Sequence, residues 1–260
     1  DKFTVHDLVS FGTLSQTAGE FLQKAVQAKL SILVAGGTGS GKTTTLNMLS
    51  QFFLPHERIV TIEDLAELKL AHDHWIRLEG RPPNIEGRGE VTLSTLVRES
   101  LRMRPDRVVV GEIRDGNAAM DMLQAMNTGH EGSMGTVHAN SPRDCFTRID
   151  GMVAIAGMKI DQQAVYSQIA SALDIIVYQT RMRDGSRAVT HIVEITGMEG
   201  NVISMQDIFV RPPDADSASV ALRAAGLVPN CFQRIVDSGQ QLERAMFLMN
   251  DEVGSGGRWR

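Results

Sequence analysis

The sequence contains little cysteine, few aromatic residues and no long apolar stretch. Its two cysteines, Cys145 and Cys231, lie far apart and outside any Cys-x-x-Cys spacing, which excludes a disulfide framework and a four-cysteine zinc site. We expect reduced thiols, as in a cytosolic protein. No run approaches the ~18 apolar residues that a membrane-spanning helix needs, and no pattern typical of a secretory leader opens the chain. The chain begins at Asp1 rather than Met, so we expect a fragment or a processed product.

Charge of one sign is also not in excess. The 260 residues include 26 Lys and Arg against 31 Asp and Glu, a net charge of −5. This mildly acidic balance argues against a protein that binds nucleic acid through a broad basic face, so we do not expect nucleic acid as a partner. The apolar fraction of 42% is that of an ordinary globular chain.

Four short apolar runs bounded by turn residues predict buried strands that alternate with helices. The strands are predicted at 31–35, 58–62, 107–110 and 135–138. The helices are predicted from a Thr17–Glu20 capping box onward and at 42–51, 93–101 and 117–127. Alternation of this kind predicts an α/β fold in which helices cover both faces of a mainly parallel sheet.

The pattern changes after Pro142. Two helices are predicted there, at 142–156 and 161–173. Three strand-like runs joined by tight-turn residues then predict an antiparallel meander over 174–180, 188–196 and 202–210. We interpret the remainder as a linker, a helical segment and a disordered tail, at 211–217, 218–249 and 254–260. The predicted division is a domain over 1–210 and an extension over 211–260.

A glycine-rich loop follows the first predicted strand and precedes a helix. It matches the phosphate-binding pattern G-x-x-x-x-G-K-[ST], with the residues Gly36, Gly37, Thr38, Gly39, Ser40, Gly41, Lys42, Thr43 and Thr44. Glycines permit positive φ and close backbone approach, so that successive N–H groups can surround an anion at a helix N-terminus. We expect Lys42 to contact the β- and γ-phosphates of a nucleoside triphosphate and Thr43 to bind Mg²⁺, and the loop alone does not specify which nucleotide or which reaction.

Acidic residues end two of the predicted strands. Glu112 follows an apolar strand and is the candidate for the magnesium side, with Gly111 in the place of the usual aspartate. Glu63 and Asp64 end the strand before it, and Glu63 is the candidate that activates the attacking water. Asp64 with Glu67 also reads as the N-cap of a helix, which is compatible with catalysis by Glu63.

Histidine and arginine supply weaker candidates. His138 ends a predicted strand, from which it can donate to a γ-phosphate. Arginines cluster between the two acidic strands, and arginines from a neighbouring subunit complete the sites of many multimeric ATPases. The candidates for phosphate contact, in the same subunit or the next, are Arg77, Arg81, Arg88 and Arg102. A charge cluster of this kind is also compatible with a solvated surface.

Four motifs in order resemble those of the secretion ATPase superfamily, which drives type II secretion, type IV pili and type IV secretion. They are GGTGSGKT at 36–43, TIED at 61–64, VVVGEIRD at 108–115 and GHEGSMGTVHAN at 129–140, similar to its Walker A, Asp box, atypical Walker B and His box. Segments 81–91, 101–106, 126–130, 197–200 and 206–209 resemble the CpaF-type ATPases of Flp (tight adherence) pilus assembly. The resemblance covers about residues 3–210.

The resemblance implies a RecA-like P-loop core that hydrolyses ATP with Mg²⁺ in a cytoplasmic homo-oligomeric ring, usually a hexamer. It implies docking on an inner-membrane platform protein, hence peripheral association with that membrane. The family's N-terminal domain, which completes the nucleotide site, is not expected in this chain. By position, Glu63 and Glu112 would act on water and on the metal, with exchange of the two roles left open.

Three functions remain open. The first is a motor for Flp pilus assembly, the second is a type IV secretion motor for protein or DNA, and the third is a scaffold that binds nucleotide without useful turnover. Retention of both Glu63 and Glu112 argues against the scaffold.

Overall fold

A nine-stranded sheet forms the centre of the part of the chain that the computed structural model describes, residues 3–248. The strands are β1 (Ile32–Gly36), β2 (Ile59–Glu63), β3 (Trp75–Glu79), β4 (Arg107–Ile113), β5 (Met134–His138), β6 (Ile175–Arg181), β7 (Arg187–Glu199), β8 (Val202–Val210) and β9 (Arg223–Ala224). Their order is β3-β2-β4-β5-β1-β6-β7-β8-β9. In this order the strands from β3 to β6 are parallel, and β7, β8 and β9 follow β6 with antiparallel pairing. The predicted α/β class, with a mainly parallel sheet and an antiparallel meander, is confirmed.

The helices lie on both faces of this sheet. They are α1 (Val5–Ser10), α2 (Gln16–Gln27), α3 (Lys42–Ser50), α4 (Leu93–Leu101), α5 (Gly116–Asn127), α6 (Asp144–Ile155), α7 (Gln162–Ala172) and α8 (Cys231–Asp237), with a 3-10 turn at Arg244–Phe247. Among residues 3–248, none of the helices has both the length and the apolar content that crossing a membrane requires.

Strand β1 shows why its sequence is apolar throughout. Ile32 and Val34 face a core formed with α2, α3 and α8, whereas Leu33 and Ala35 face a second core formed with α4 to α7. A strand covered on both faces buries every side chain, so it lacks the alternation of a half-exposed strand. Because these strands are paired in parallel, their carboxyl ends lie at one edge of the sheet. The phosphate-loop sequence follows β1 at this edge.

Two predicted helix starts are wrong. Helix α2 is capped by Ser15, whose side chain accepts from the Ala18 amide, and Thr17 lies inside the helix. Ser15 has the extended backbone that an N-cap needs, which the pattern at Thr17 did not reveal. No helix follows Asp64, since residues 64–74 are irregular and lead into β3. Strand β3 was not predicted, and it extends the sheet edge beside β2.

The prediction of a helical segment over 218–249 is also wrong for most of its length. In its described part, 218–248, the structure has the short strand β9, helix α8 and the 3-10 turn, and Gly226, Pro229 and Gly239 lie between these elements. Phe247 is fully buried, with its ring centroid 5.7 Å from that of Phe21 in α2. The conformation of this segment therefore depends on the tertiary packing of aromatic rings rather than on helix periodicity. The predicted tail at 254–260 lies outside the described residues.

Candidate functional site

The glycine-rich loop joins the end of β1 to the start of α3, at the carboxyl edge of the sheet. Gly39 and Gly41 have φ of 70° and 97°, in the region that favours glycine. At Gly36 an added Cβ would lie 2.2 Å from the Gln179 carbonyl oxygen, so the chain can pass there only without a side chain. The predicted loop residues from Thr38 to Thr44 line a cavity of about 1010 Å³.

Lys42 is the first residue of α3 and lies over this loop. Its Nζ donates to the carbonyl oxygens of Gly36 and Gly37, at 3.1 Å each. Partial burial lowers the pKa of its ammonium group, and the nearby carboxylate of Glu112 opposes that shift. A cation at a helix N-terminus, beside backbone N–H groups, is the arrangement that binds phosphate.

Glu63 enters the same cavity from the end of β2. Its side chain is buried, and its Oε1 accepts from the amides of Glu67 at 2.9 Å and Leu68 at 2.8 Å. Among residues 3–248, no cationic side chain lies within 4.0 Å of this carboxylate. Two amide donors therefore fix Glu63 in place.

Gly111 makes room for Glu63. A Cβ at position 111 would lie 2.9 Å from Glu63 Cγ and 3.4 Å from its Oε1. The glycine that replaces the usual aspartate of β4 is thus a packing requirement, because Glu63 from β2 occupies the space where the side chain of residue 111 would be. The acid at this point of the cavity comes from a neighbouring strand.

Glu112 lines the cavity from β4 and is paired with an arginine. Its Oε2 accepts from Arg114 Nη2 at 2.6 Å and Nε at 2.8 Å. The same guanidinium reaches Asp64 Oδ2 at 3.2 Å. The hydrogen bond and charge of Glu112 raise the pKa of Arg114, which stays charged. Arg114 was not predicted as a site residue, because its contact with Asp64, 50 positions away, depends on the sheet order.

Oxygen donors suited to Mg²⁺ surround the loop. The Thr43 hydroxyl lies 3.4 Å from Glu67 Oε2, and the carboxylates of Glu63, Asp64 and Glu112 line the same cavity. Within the described residues, no three His, Cys, Asp or Glu side chains form a ready metal-binding cluster. This set fits Mg²⁺, which is usually bound through one or two protein oxygens together with substrate phosphates and water.

Two residues of the antiparallel region hold the loop, and neither was predicted. Gln179 on β6 is buried; its Nε2 donates to the Ser40 carbonyl at 2.5 Å and its Oε1 accepts from Thr45 Oγ1 at 2.6 Å. Arg187 on β7 donates from Nε to the Gly39 carbonyl at 2.9 Å. The signal that a sequence offers is a polar residue inside the apolar run of β6, which is exceptional for a buried strand.

His138 lies beside the main cavity rather than in it. It ends β5 and lines a second cavity of about 720 Å³, together with Asn140 and Asp144. Glu112 and Arg114 line both cavities and so connect them. The structure therefore brings His138 to the same edge as the phosphate loop, on the neighbouring strand, where it pairs with Gly36.

Three predicted arginines lie on β3 or on the loop that follows it, and none of them lines either cavity. The Arg77 guanidinium lies 4.8 Å from the centre of the Trp75 ring, and Arg81 Nε donates to the Gly89 carbonyl at 2.7 Å. Arg88 is at the tip of the exposed loop after β3. Contacts of these arginines with a neighbouring subunit stay a prediction.

Arg102 lies at the opposite edge of the sheet. It follows the last residue of α4, from which the chain returns to the start of β4. Its side chain is 83% exposed and its ion-pair partner is Glu99 at 4.0 Å. Because parallel strands start at one edge and end at the other, Arg102 does not reach the phosphate loop of its own chain. The prediction placed it too close, since sequence proximity to β4 does not specify which end of the strand is near.

The sheet order defines the class as an α/β protein, and the glycine loop at the end of its central strand has the sequence pattern of a phosphate-binding loop. Residues 1–202 match the family model described as type II/IV secretion system protein. The chain therefore belongs to the type II/IV secretion system protein family.

Similar proteins come from several bacteria. A Mycobacterium tuberculosis protein that has the provisional name conjugal transfer protein is 45% identical over 195 residues, 75% of this chain and 54% of that protein. VirB11 of Agrobacterium fabrum is 40% identical over 159 residues, 60% of this chain and 46% of its own length. The chain thus spans about half the length of the curated relatives it matches.

Solved structures agree with this assignment. The VirB11 ATPase of the Brucella suis type IV secretion system, solved with sulphate, has a TM-score of 0.59 and 32% identity, over 66% of this chain and 52% of that one. The pilus retraction motor PilT with bound ADP has a TM-score of 0.51 and 28% identity, over 65% and 48%.

Proposed function

We propose that this chain is the nucleotide-binding part of an ATP-hydrolysing motor. The observation that supports this proposal most directly is the convergence of the glycine loop, Lys42 and the carboxylates of Glu63 and Glu112 on one cavity. These groups come from three different strand ends and supply the cation, the metal-side acid and the water-side acid that phosphoryl transfer requires. Relatives titled as ATPases support the same conclusion.

In the proposed reaction, loop N–H groups and Lys42 bind the β- and γ-phosphates. Thr43 and Glu112 would hold Mg²⁺, which supplies charge neutralisation between the β- and γ-phosphates when bound. Glu63 orients a water and accepts its proton while the water oxygen bonds to the γ-phosphorus and the bond to the β-phosphate oxygen breaks. From the adjoining cavity, the His138 side chain would donate a hydrogen bond to the γ-phosphate.

The proposed assembly is a homo-oligomeric ring, with a hexamer as the expected form. None of the exposed arginines Arg77, Arg81, Arg88 and Arg102 lines either cavity of its own chain, and in a ring they would contact the site of a neighbouring subunit. The proposed place of work is the cytoplasmic side of the inner membrane, through a platform protein. An N-terminal domain would complete each site, as the resemblance implies.

Two cargoes are proposed. Flp pilus assembly is favoured by the segments at 81–91 and 126–130 that resemble CpaF-type ATPases. Type IV secretion is favoured by the 45% identity to a protein named for conjugal transfer and by the VirB11 relatives. Deletion of the gene in its host separates the two: loss of surface pili with normal DNA transfer supports the first, and the reverse supports the second.

The first experiment measures Mg-ATP hydrolysis across protein concentration, with Lys42→Ala as the blank. Activity above the blank that rises with concentration supports a site shared between subunits. Bound ATP with activity equal to the blank at every concentration contradicts hydrolysis by this chain alone and favours a scaffold, or a motor that needs its N-terminal domain. Turnover by Lys42→Ala equal to that of the wild type contradicts the assignment of the site.

A further inference from the structure

An apolar surface adjoins the phosphate loop at the mouth of the main cavity. Phe3, Leu8 and Phe11 line this cavity together with the loop. Phe11 is 55% exposed, and its ring meets that of Phe3 edge to face with centroids 5.5 Å apart. A half-exposed aromatic ring beside a polar cavity offers a stacking surface, and every nucleobase has a π-face that can use one.

The turn that bears Phe11 is connected to the phosphate loop. Thr13 Oγ1 donates to the Arg187 carbonyl at 2.9 Å, and Arg187 in turn donates to the Gly39 carbonyl at 2.9 Å. The aromatic surface and the phosphate loop are therefore linked by hydrogen bonds, and both line the cavity of about 1010 Å³. That volume is at the upper end for small-molecule sites and accommodates a base and sugar as well as three phosphates.

Arg211, which lies beyond the family match at 1–202, holds this turn from the C-terminal side. Its side chain is buried, and it donates to the carbonyls of Gly12 at 2.8 Å, Thr13 at 3.4 Å, Val189 at 3.1 Å and Ala218 at 3.0 Å. Within residues 3–248 no carboxylate lies within 4.0 Å of it. Burial of a cation without a counter-ion destabilises the fold unless polar groups such as carbonyls accept hydrogen bonds from it. The carbonyls that accept from Arg211 belong to three segments, which the arginine therefore connects.

Segment 211–218 also packs directly on the turn. Gly12 has a φ of 72°, and an added Cβ would lie 2.4 Å from the Ala218 carbonyl oxygen. The Ala218 amide donates to Ser186 Oγ at 3.0 Å, and Ser186 lines the cavity. Two residues therefore contact the turns at Gly12 and Ser186 that adjoin the cavity: Arg211, in the predicted linker 211–217, and Ala218, in the segment predicted as helical.

We propose that Phe11 provides the stacking surface for the base of the bound nucleoside triphosphate and that Arg211 is the residue that positions it. This inference rests on the proposed function, because it needs a nucleotide in the cavity. It assigns to the segment after 210 a part in nucleotide affinity: Arg211 acts through the turn at Gly12 and Thr13 and does not touch the ligand.

Comparison of a nucleotide with its phosphate part tests this proposal. Titration calorimetry would measure binding of Mg-ATP and of Mg-tripolyphosphate to the 260-residue chain and to Phe11→Ala, Phe11→Tyr and Arg211→Lys. We expect Phe11→Ala to weaken ATP by about tenfold, the scale of a lost base stack, with tripolyphosphate unchanged. Phe11→Tyr keeps the ring and should bind ATP as the wild type does. Arg211→Lys cannot reach all three segments and should lower ATP affinity selectively.

The matched control is Leu227→Ala, which removes an apolar side chain of similar exposure, 58%, outside the cavity lining. Equal ATP affinity of Phe11→Ala and the wild type would overturn the role of Phe11. If Arg211→Lys weakens the binding of ATP and of tripolyphosphate equally, Arg211 has a general structural role and the positioning role is overturned. The proposed function fails in a different way, with neither ligand bound by the wild type or with both unaffected by Lys42→Ala.

Discussion

The contact between Gly111 and Glu63 gives the sharpest prediction. We expect Gly111→Ala to displace the carboxylate that we assign to water activation. The new Cβ would lie 2.9 Å from Glu63 Cγ, whereas carbon atoms prefer about 3.5 Å or more, so Glu63 must move by roughly 0.6 Å. The hydrogen bonds from the amides of Glu67 and Leu68, now 2.9 Å and 2.8 Å, would then exceed the normal length of about 3.2 Å.

Two quantities should change as a result. Overpacking a dense site of this kind lowers the free energy of unfolding by about 1–3 kcal/mol. Misplacing a catalytic group by about 1 Å can lower turnover by roughly a hundredfold, so we expect at least a tenfold loss in kcat with ATP binding largely kept. Urea unfolding measures the first quantity, and Mg-ATP hydrolysis at saturating ATP measures the second.

Gly151→Ala is the matched control for stability. Gly151 lies inside α6, and an added Cβ there meets nothing within 4 Å. The change should stabilise the protein by up to about 1 kcal/mol, as expected for glycine within a helix. In a Glu63→Ala background, Gly111→Ala should change the free energy of unfolding little, because the Glu63 atoms that the new Cβ would contact are absent. Wild-type stability and turnover in Gly111→Ala would refute the explanation of this glycine, and so would an undiminished cost in the Glu63→Ala background.

Three further results are expected. Glu63→Gln should keep ATP affinity in calorimetry while slowing hydrolysis, since an amide cannot accept the proton of water; an equal loss of affinity would give Glu63 a structural role. Gln179→Leu should lower the unfolding free energy in urea by about 1–3 kcal/mol and weaken ATP binding, because the buried Thr45 hydroxyl loses its acceptor, and an unchanged urea midpoint would contradict this. Burial raises the pKa of Cys145 to about 12, so at about pH 8 iodoacetamide should label it slowly in the folded chain and rapidly in urea; rapid labelling of the folded chain would show that the thiol is accessible as thiolate.

Much of the fold could be predicted from local sequence. The apolar run at 31–35 and the helix at 93–101 have strong patterns, and the structure places β1 and α4 there. Strand β3 was missed because its alternation is short, and it forms only by pairing with β2. The segment 218–249 was mispredicted because its apolar residues serve the packing of Phe247 and α8 on the core, which is a long-range contact.

The residues of the candidate site also differ in whether local sequence predicts them. Lys42 and the glycines around it were predicted because a phosphate loop is a contiguous string of residues whose chemistry is local. Glu63 and Glu112 were predicted because each ends a strand. Arg114, Gln179 and Arg211 were not predicted as site or positioning residues, since each has a partner far away in sequence: Asp64, Ser40 and Gly12, respectively.

What the sequence alone determined is therefore the glycine-rich loop, the alternation of strands and helices, and the acids at the strand ends, because each depends on residues that are close along the chain. The tertiary structure decided which acids meet. The sheet order places β2 beside β4, so Glu63 fills the space above Gly111 and Arg114 bridges Glu112 to Asp64. It likewise decided the buried pair of Arg107 and Glu57, which are 50 positions apart. Contacts between distant segments depend on strand order and register, and local sequence does not specify either.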